Sequence, residues 1–216
     1  MQDRWSRLVA DLPKARGWLA SPAAGRRPAS WIVGLAGAIA ATSFLIFAWP
    51  VALVSCLLGW AMLAIAVVDA QRFIVPDILS LPAILVGLVV TWLLDDGYAG
   101  HSLLLEHLGA AALGGAVLYA VKELYFRWRE REGLGLGDVK LAAVAGAWTG
   151  LAGLGHVLLL ASLLAIGYVL ILNARNLRSL SATTAIAFGV FLAPAIWFVW
   201  CANTLGLDLS LAGLLD

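Results

Sequence analysis

Charge is scarce in this 216-residue chain. Asp, Glu, Lys and Arg make up 12% of it, against 62% hydrophobic residues and a mean hydropathy of +0.95. A soluble globular domain carries about a quarter charged residues, so a freestanding soluble domain is excluded. Cysteine is nearly absent. Cys56 and Cys201 both fall inside apolar runs and form no CxxC pair, which excludes a zinc module and a disulfide framework. Leu53-Val54-Ser55-Cys56 has the form of a lipoprotein-processing box. However, the apolar run continues straight through it, and about thirty residues precede that run, so it reads as ordinary span. Histidine is sparse too: His101, His107 and His156 show no metal-ligand spacing. The net charge of +1 leaves no basic patch for nucleic acid. Neither a metal nor any other cofactor is expected.

Apolar sequence, by contrast, comes in long runs, at about 31–49, 51–68, 78–94, 108–125, 139–152, 154–173 and 184–204. A bilayer span needs roughly 20 such residues, so these runs predict an all-α, polytopic membrane helix bundle of about seven transmembrane helices. Trp49-Pro50 separates the first two into a tight hairpin. The division between the fifth and sixth rests only on Thr149-Gly150 and Gly153-Leu154-Gly155. The ten tryptophans suit an aromatic belt at the membrane surfaces. Residues 1–30 read as a cytoplasmic N-terminal segment. In it Trp5, Leu8, Val9 and Leu12 form one face of a short amphipathic surface helix, with a disordered basic tail as the alternative. Residues 31–204 then form the transmembrane domain, and 205–216 a short non-cytoplasmic tail.

Positive charge orients the bundle. With seven spans and a cytoplasmic N-terminus, segments 1–30, 69–77, 122–140 and 174–183 face the cytoplasm. They hold six, one, five and two basic residues, which accounts for all 14 in the chain. The opposite face carries Asp95, Asp96, Glu106, His101 and His107 and no Lys or Arg. This topology places Asp69, at the end of the second span, and Asp138, at the start of the fifth, on the same cytoplasmic side.

Both aspartates sit where an apolar run breaks into a short turn-forming stretch: Val67-Val68-Asp69-Ala70-Gln71-Arg72-Phe73-Ile74-Val75-Pro76-Asp77 and Gly133-Leu134-Gly135-Leu136-Gly137-Asp138-Val139-Lys140. Ionisable groups at a membrane edge are costly and therefore functional candidates. Two carboxyls within about 3 Å cannot both ionise, so one keeps its proton and the pair can act as acid and base on a water. That chemistry hydrolyses a peptide bond without metal or covalent nucleophile. Gly133, Gly135 and Gly137 offer unusual backbone angles and a bare edge beside which an extended peptide fits. Pro76-Asp77 caps the third span, and Lys140 and Arg72 either bias the pair or, the preferred reading, anchor helices at the interface. Each aspartate also has a plain structural role available: Asp138 as a helix N-cap, Asp69 as a solvated interfacial residue, Asp77 as a cap. The glycine run is no phosphate loop, because no Gly-Lys-Ser/Thr follows it.

Asp69 followed by Pro76-Asp77, with Gly135-Leu136-Gly137-Asp138-Val139-Lys140 downstream, resembles the type IV prepilin peptidases, GxGD-type intramembrane aspartic proteases. The likeness covers about residues 45–200. It implies Asp69 and Asp138 as the catalytic pair, with Gly135, Gly137, Pro76, Asp77 and Lys140 positioning loop and substrate. It also implies prepilin or pseudopilin substrates, cut after a basic leader at the cytoplasmic face of the bacterial inner membrane. Two departures stand out. Many family members insert a cytoplasmic zinc domain with two CxxC pairs between the first two spans and N-methylate the product, whereas Trp49-Pro50 occupies that place here. S-adenosylmethionine binding is therefore not expected. The Pro-Phe-Gly-Pro stretch frequent in the family is Ala187-Phe188-Gly189-Val190 in this chain. Two other functions compete. A presenilin-like protease shares GxGD but has Tyr before its first aspartate, where this chain has Val68, and a Pro-Ala-Leu motif that Leu192-Ala193-Pro194 is not. A small proton-coupled transporter would bind near the midplane between repeated halves, and no internal repeat is present.

Overall fold

The computed structural model describes residues 30–94, 102–129, 133–174 and 187–207. Every regular element among them is an α-helix, and there are six: α1 Ser30–Ile46, α2 Val51–Arg72, α3 Asp77–Leu94, α4 Ser102–Arg129, α5 Leu136–Ala174 and α6 Gly189–Thr204. Three are long and apolar enough to cross a membrane, namely α2, α4 from Leu103, and α5. Ile39–Asp216 forms one compact unit. Of the other, Met1–Ala38, only the first turns of α1 are described. The surface helix expected before residue 30 lies outside the described residues, as do most of segment 174–183 and the tail from 208.

Six helices stand where about seven separate ones were expected, and the difference lies at Gly150. Leu136–Ala174 runs 39 residues without a polar loop, but Gly150 leaves helical geometry at φ 67°, ψ −171°. The chain doubles back there. A Cβ at Gly114 would lie 2.7 Å from the Ala142 carbonyl oxygen and 3.1 Å from the Leu154 side chain. Along a straight helix those two residues would stand about 18 Å apart. The first arm runs alongside α6, with Leu141 beside Gly189 and Trp148 edge-on to Trp200 at 5.8 Å. The second arm returns, bringing Tyr168 within 5.5 Å of Phe191. A left-handed φ of this kind favours glycine, which has no Cβ to clash. Side chains take up carbonyls near the break. Asn203 donates to the Thr149 oxygen at 3.4 Å, and His107 Nδ1 lies 3.0 Å from the Ala147 oxygen. In an apolar setting such carbonyls need partners from the protein itself.

Helix α4 extends well beyond its apolar run, to Arg129. Its last turns are charged but still helix-forming, and Glu123 pairs with Arg127 one turn on at 2.8 Å. Helices α4 and α5 cross closely because Gly146 has no side chain: a Cβ there would run into the backbone of Ala110. Overfilling a packed contact costs about 1–3 kcal/mol. Gly146→Val is therefore expected to lower the thermal stability of the purified protein in detergent, measured as a reduced Tm.

Buried apolar side chains from α2, α5 and α6 form the core, among them Leu58, Met62, Ile65, Leu141, Val144 and Ile196. The buried hydroxyls of Ser43 and Ser55 satisfy each other at 2.8 Å, and Trp197 Nε1 donates to Ser55 Oγ at 3.1 Å. Helices α3 and α6 each pack on both α2 and α5. That arrangement holds α2 and α5, which carry the two aspartates, against the same two neighbours.

Candidate active site

Asp69 lies in the last turn of α2 and is only 5% exposed. This differs from a solvated interfacial carboxylate. The helix ends directly after it: Phe73 takes up a left-handed conformation at φ 54°, ψ 35°, and its N–H donates to the Asp69 carbonyl at 2.8 Å. Left-handed helix ends normally use glycine, so a phenylalanine here stores local strain beside the site. Backbone N–H groups of Gly189 and Val190, in the first turn of α6, are directed at the Asp69 carboxyl. Its Oδ2 is buried with no hydrogen-bond partner among the described residues.

Asp138 is the third residue of α5 and is 8% exposed. It is not the N-cap itself. Gly135 precedes the helix, its carbonyl accepts the Asp138 N–H at 3.2 Å, and its own N–H is directed at the Asp138 carboxyl. A third-position acid reaching back to the N-cap N–H is half of a capping box. The two carboxyls lie near enough to interact electrostatically.

Glycines set the distances between the pieces. None of Gly133, Gly135 and Gly137 is in the left-handed region; among the described glycines only Gly150 and Gly206 are. Their expected backbone freedom is therefore not used. What counts is close approach. A Cβ at Gly137 would lie 2.6 Å from Val75 Cγ2, so the segment before Asp138 rests on the segment after Asp69. A Cβ at Gly135 would meet nothing closer than Asp138 Oδ2 at 3.7 Å, an ordinary contact. A Cβ at Gly189 would stand 2.7 Å from Asp69 Oδ2 and 3.2 Å from Leu141 Cδ1. Gly189 is thus a site residue that the sequence reading did not select. Its signal was the persistence of Phe188-Gly189 where both flanking prolines are missing.

Pro76 and Asp77 lie at the start of α3. The carbonyl of Pro76 accepts from the N–H groups of Leu79 and Ser80, both at 3.1 Å, and from the Ser80 hydroxyl at 3.2 Å. Pro76 therefore precedes α3 as its cap, and Asp77 is the first helical residue. The Asp77 carboxylate pairs with the Lys140 ammonium. Arg72 is exposed in the last turn of α2. Among the described residues no group of three or more His, Cys, Asp or Glu side chains is arranged to hold a metal ion.

Residues 56–170, which contain both aspartates and both loops, match the type IV leader peptidase family. The chain belongs to that family. It is similar to the prepilin leader peptidase/N-methyltransferase of Pseudomonas aeruginosa PAO1, with 36% identity over 141 residues covering 65% of this chain and 46% of the relative. It is 34% identical to the protein of the same name from Pseudomonas putida over 170 residues, 75% of this chain and 54% of the relative. The Escherichia coli K12 protein of that name is 37% identical over 132 residues, 61% and 55% of the two chains. The chain spans about half the length of the curated relatives it matches. No solved structure matches it. Gly189, which touches Asp69, lies outside the family match.

Proposed function

We propose that this protein is a membrane aspartic endopeptidase that removes the basic leader from type IV prepilins or type II secretion pseudopilins. The observation that carries this reading is that two buried aspartates, in the last turn of α2 and the first turn of α5, lie near enough to interact electrostatically at one end of an apolar bundle. Family membership and the peptidase half of the relatives' printed name support the substrate class. The methyltransferase half is not carried over, since the sequence holds two cysteines and no CxxC pair.

In this reading Asp69 and Asp138 share one proton. The ionised partner takes a proton from water, and the protonated one donates to the scissile carbonyl as the water attacks. Gly189 and Val190 N–H groups orient the Asp69 carboxyl, and Gly135 N–H orients Asp138. The distribution of basic residues supports a cytoplasmic active site in the bacterial inner membrane, with the leader entering from that side.

The test is the pH dependence of leader cleavage in liposomes. The rate should fall at low pH as both carboxyls protonate, and at high pH once the shared proton is lost, giving a bell. A rate flat across the accessible range contradicts the shared-proton pair.

A further inference from the structure

We propose that the Lys140–Asp77 ion pair is a latch that sets the two aspartates in register, so that both are positioning residues for cleavage; the inference rests on the peptidase reading above. Lys140 follows Asp138 by two residues in the first turns of α5. Asp77 opens α3 directly after the 73–76 turn that follows Asp69. The pair therefore joins the two aspartate-bearing segments themselves. Elsewhere the two parent helices meet through shared neighbours, α3 and α6, so their relative placement depends on such ties.

A second tie, Gly137 on Val75, is apolar. Apolar contact is non-directional and tolerates sliding. A charge-assisted hydrogen bond has a preferred geometry and fixes the register that the apolar contact leaves loose. With side chains 33% and 63% exposed, the pair adds little to global stability. Asp77 is also favoured where it stands by the N-terminus of α3, so loss of Lys140 leaves it without an uncompensated buried charge. Placement is therefore the property the pair controls. Catalysis is far more sensitive to placement than stability is, since a shift of about 1 Å can cost on the order of a hundredfold in rate.

The experiment compares wild type, Asp77→Asn, Lys140→Gln and the charge swap D77K/K140D in steady-state leader cleavage, with Asp138→Asn as the chemistry control. Each single variant should lose about ten- to a hundredfold in kcat with KM changed less than about threefold. The swap should recover to within roughly tenfold of wild type, incompletely because a lysine then faces the N-terminus of α3. Single variants at the wild-type rate overturn the latch, and so does a loss that the swap leaves unrepaired. A purely structural role would lower Tm without this kcat-selective rescue. Spin labels at exposed Ile74 and Leu136, with Cys56→Ala and Cys201→Ala, read the separation of the segments independently of activity. One narrow distance should broaden in both single variants and sharpen again in the swap; an unchanged distribution overturns the proposal. If Asp138→Asn cleaves like wild type, the peptidase reading fails instead, and the distance measurement alone decides the latch.

Discussion

Asp69→Asn and Asp138→Asn should each reduce leader cleavage by on the order of a thousandfold or more, because each removes an acid–base group that typically contributes 10²–10⁴-fold. The substitution is nearly isosteric, so the fold should survive it. An asparagine oxygen at 138 can still accept the Gly135 N–H, and one at 69 can still accept from the first turn of α6. That retention makes the test selective. If Asp138 served only as the third residue of a capping box, asparagine would keep most of that function and cleavage would be nearly normal. Elution as a monodisperse species in detergent and an unchanged Tm would separate lost chemistry from lost structure. Cleavage that persists in either variant returns that aspartate to a structural role.

Gly189→Ala should also abolish most activity, through sterics rather than chemistry. The added methyl would stand 2.7 Å from Asp69 Oδ2 and 3.0 Å from its Cγ. Leu141 closes the other side at 3.2 Å, so the methyl can escape only by displacing the carboxyl or the start of α6. A displacement of about 1 Å at a reacting group is worth on the order of a hundredfold in rate. Gly137→Ala should act similarly, because its methyl would meet Val75 at 2.6 Å and push the two aspartate segments apart. Gly135→Ala is the contrast, with its nearest contact at 3.7 Å, and should keep activity within about tenfold of wild type, as expected for an N-cap glycine replaced by alanine. Equal losses at all three glycines would mean that backbone flexibility, and not close approach, is what the motif supplies.

The ends of the apolar runs were legible because hydropathy and bilayer thickness constrain them jointly. Asp69 and Asp138 stood out for the same reason, as charges that an apolar run tolerates only for a purpose. Gly150 was harder. Hydropathy reports which residues tolerate lipid, and a one-glycine reversal between two apolar arms leaves no polar signature. Gly150 itself and the Gly153-Leu154-Gly155 stretch after it marked a break without showing that the chain turns through a left-handed residue. The extension of α4 to Arg129 was missed for a related reason: charged residues end an apolar run but do not end a helix. At the site, pairwise contacts escaped the sequence altogether. Nothing in the spacing of Asp77 and Lys140, sixty-three residues apart, indicates that they meet. Gly189 sits even farther from Asp69 along the chain, and only packing reveals that its missing side chain makes room for the carboxyl.

The most direct test of the central claim is one cleavage assay. The purified protein in liposomes is given a prepilin-type substrate, with and without EDTA, and mass spectrometry identifies the bond that is cut. Two aspartates working on water predict a single cut at the end of the basic leader, at the same rate in EDTA. No cut in the leader, or a cut that EDTA abolishes, would contradict it.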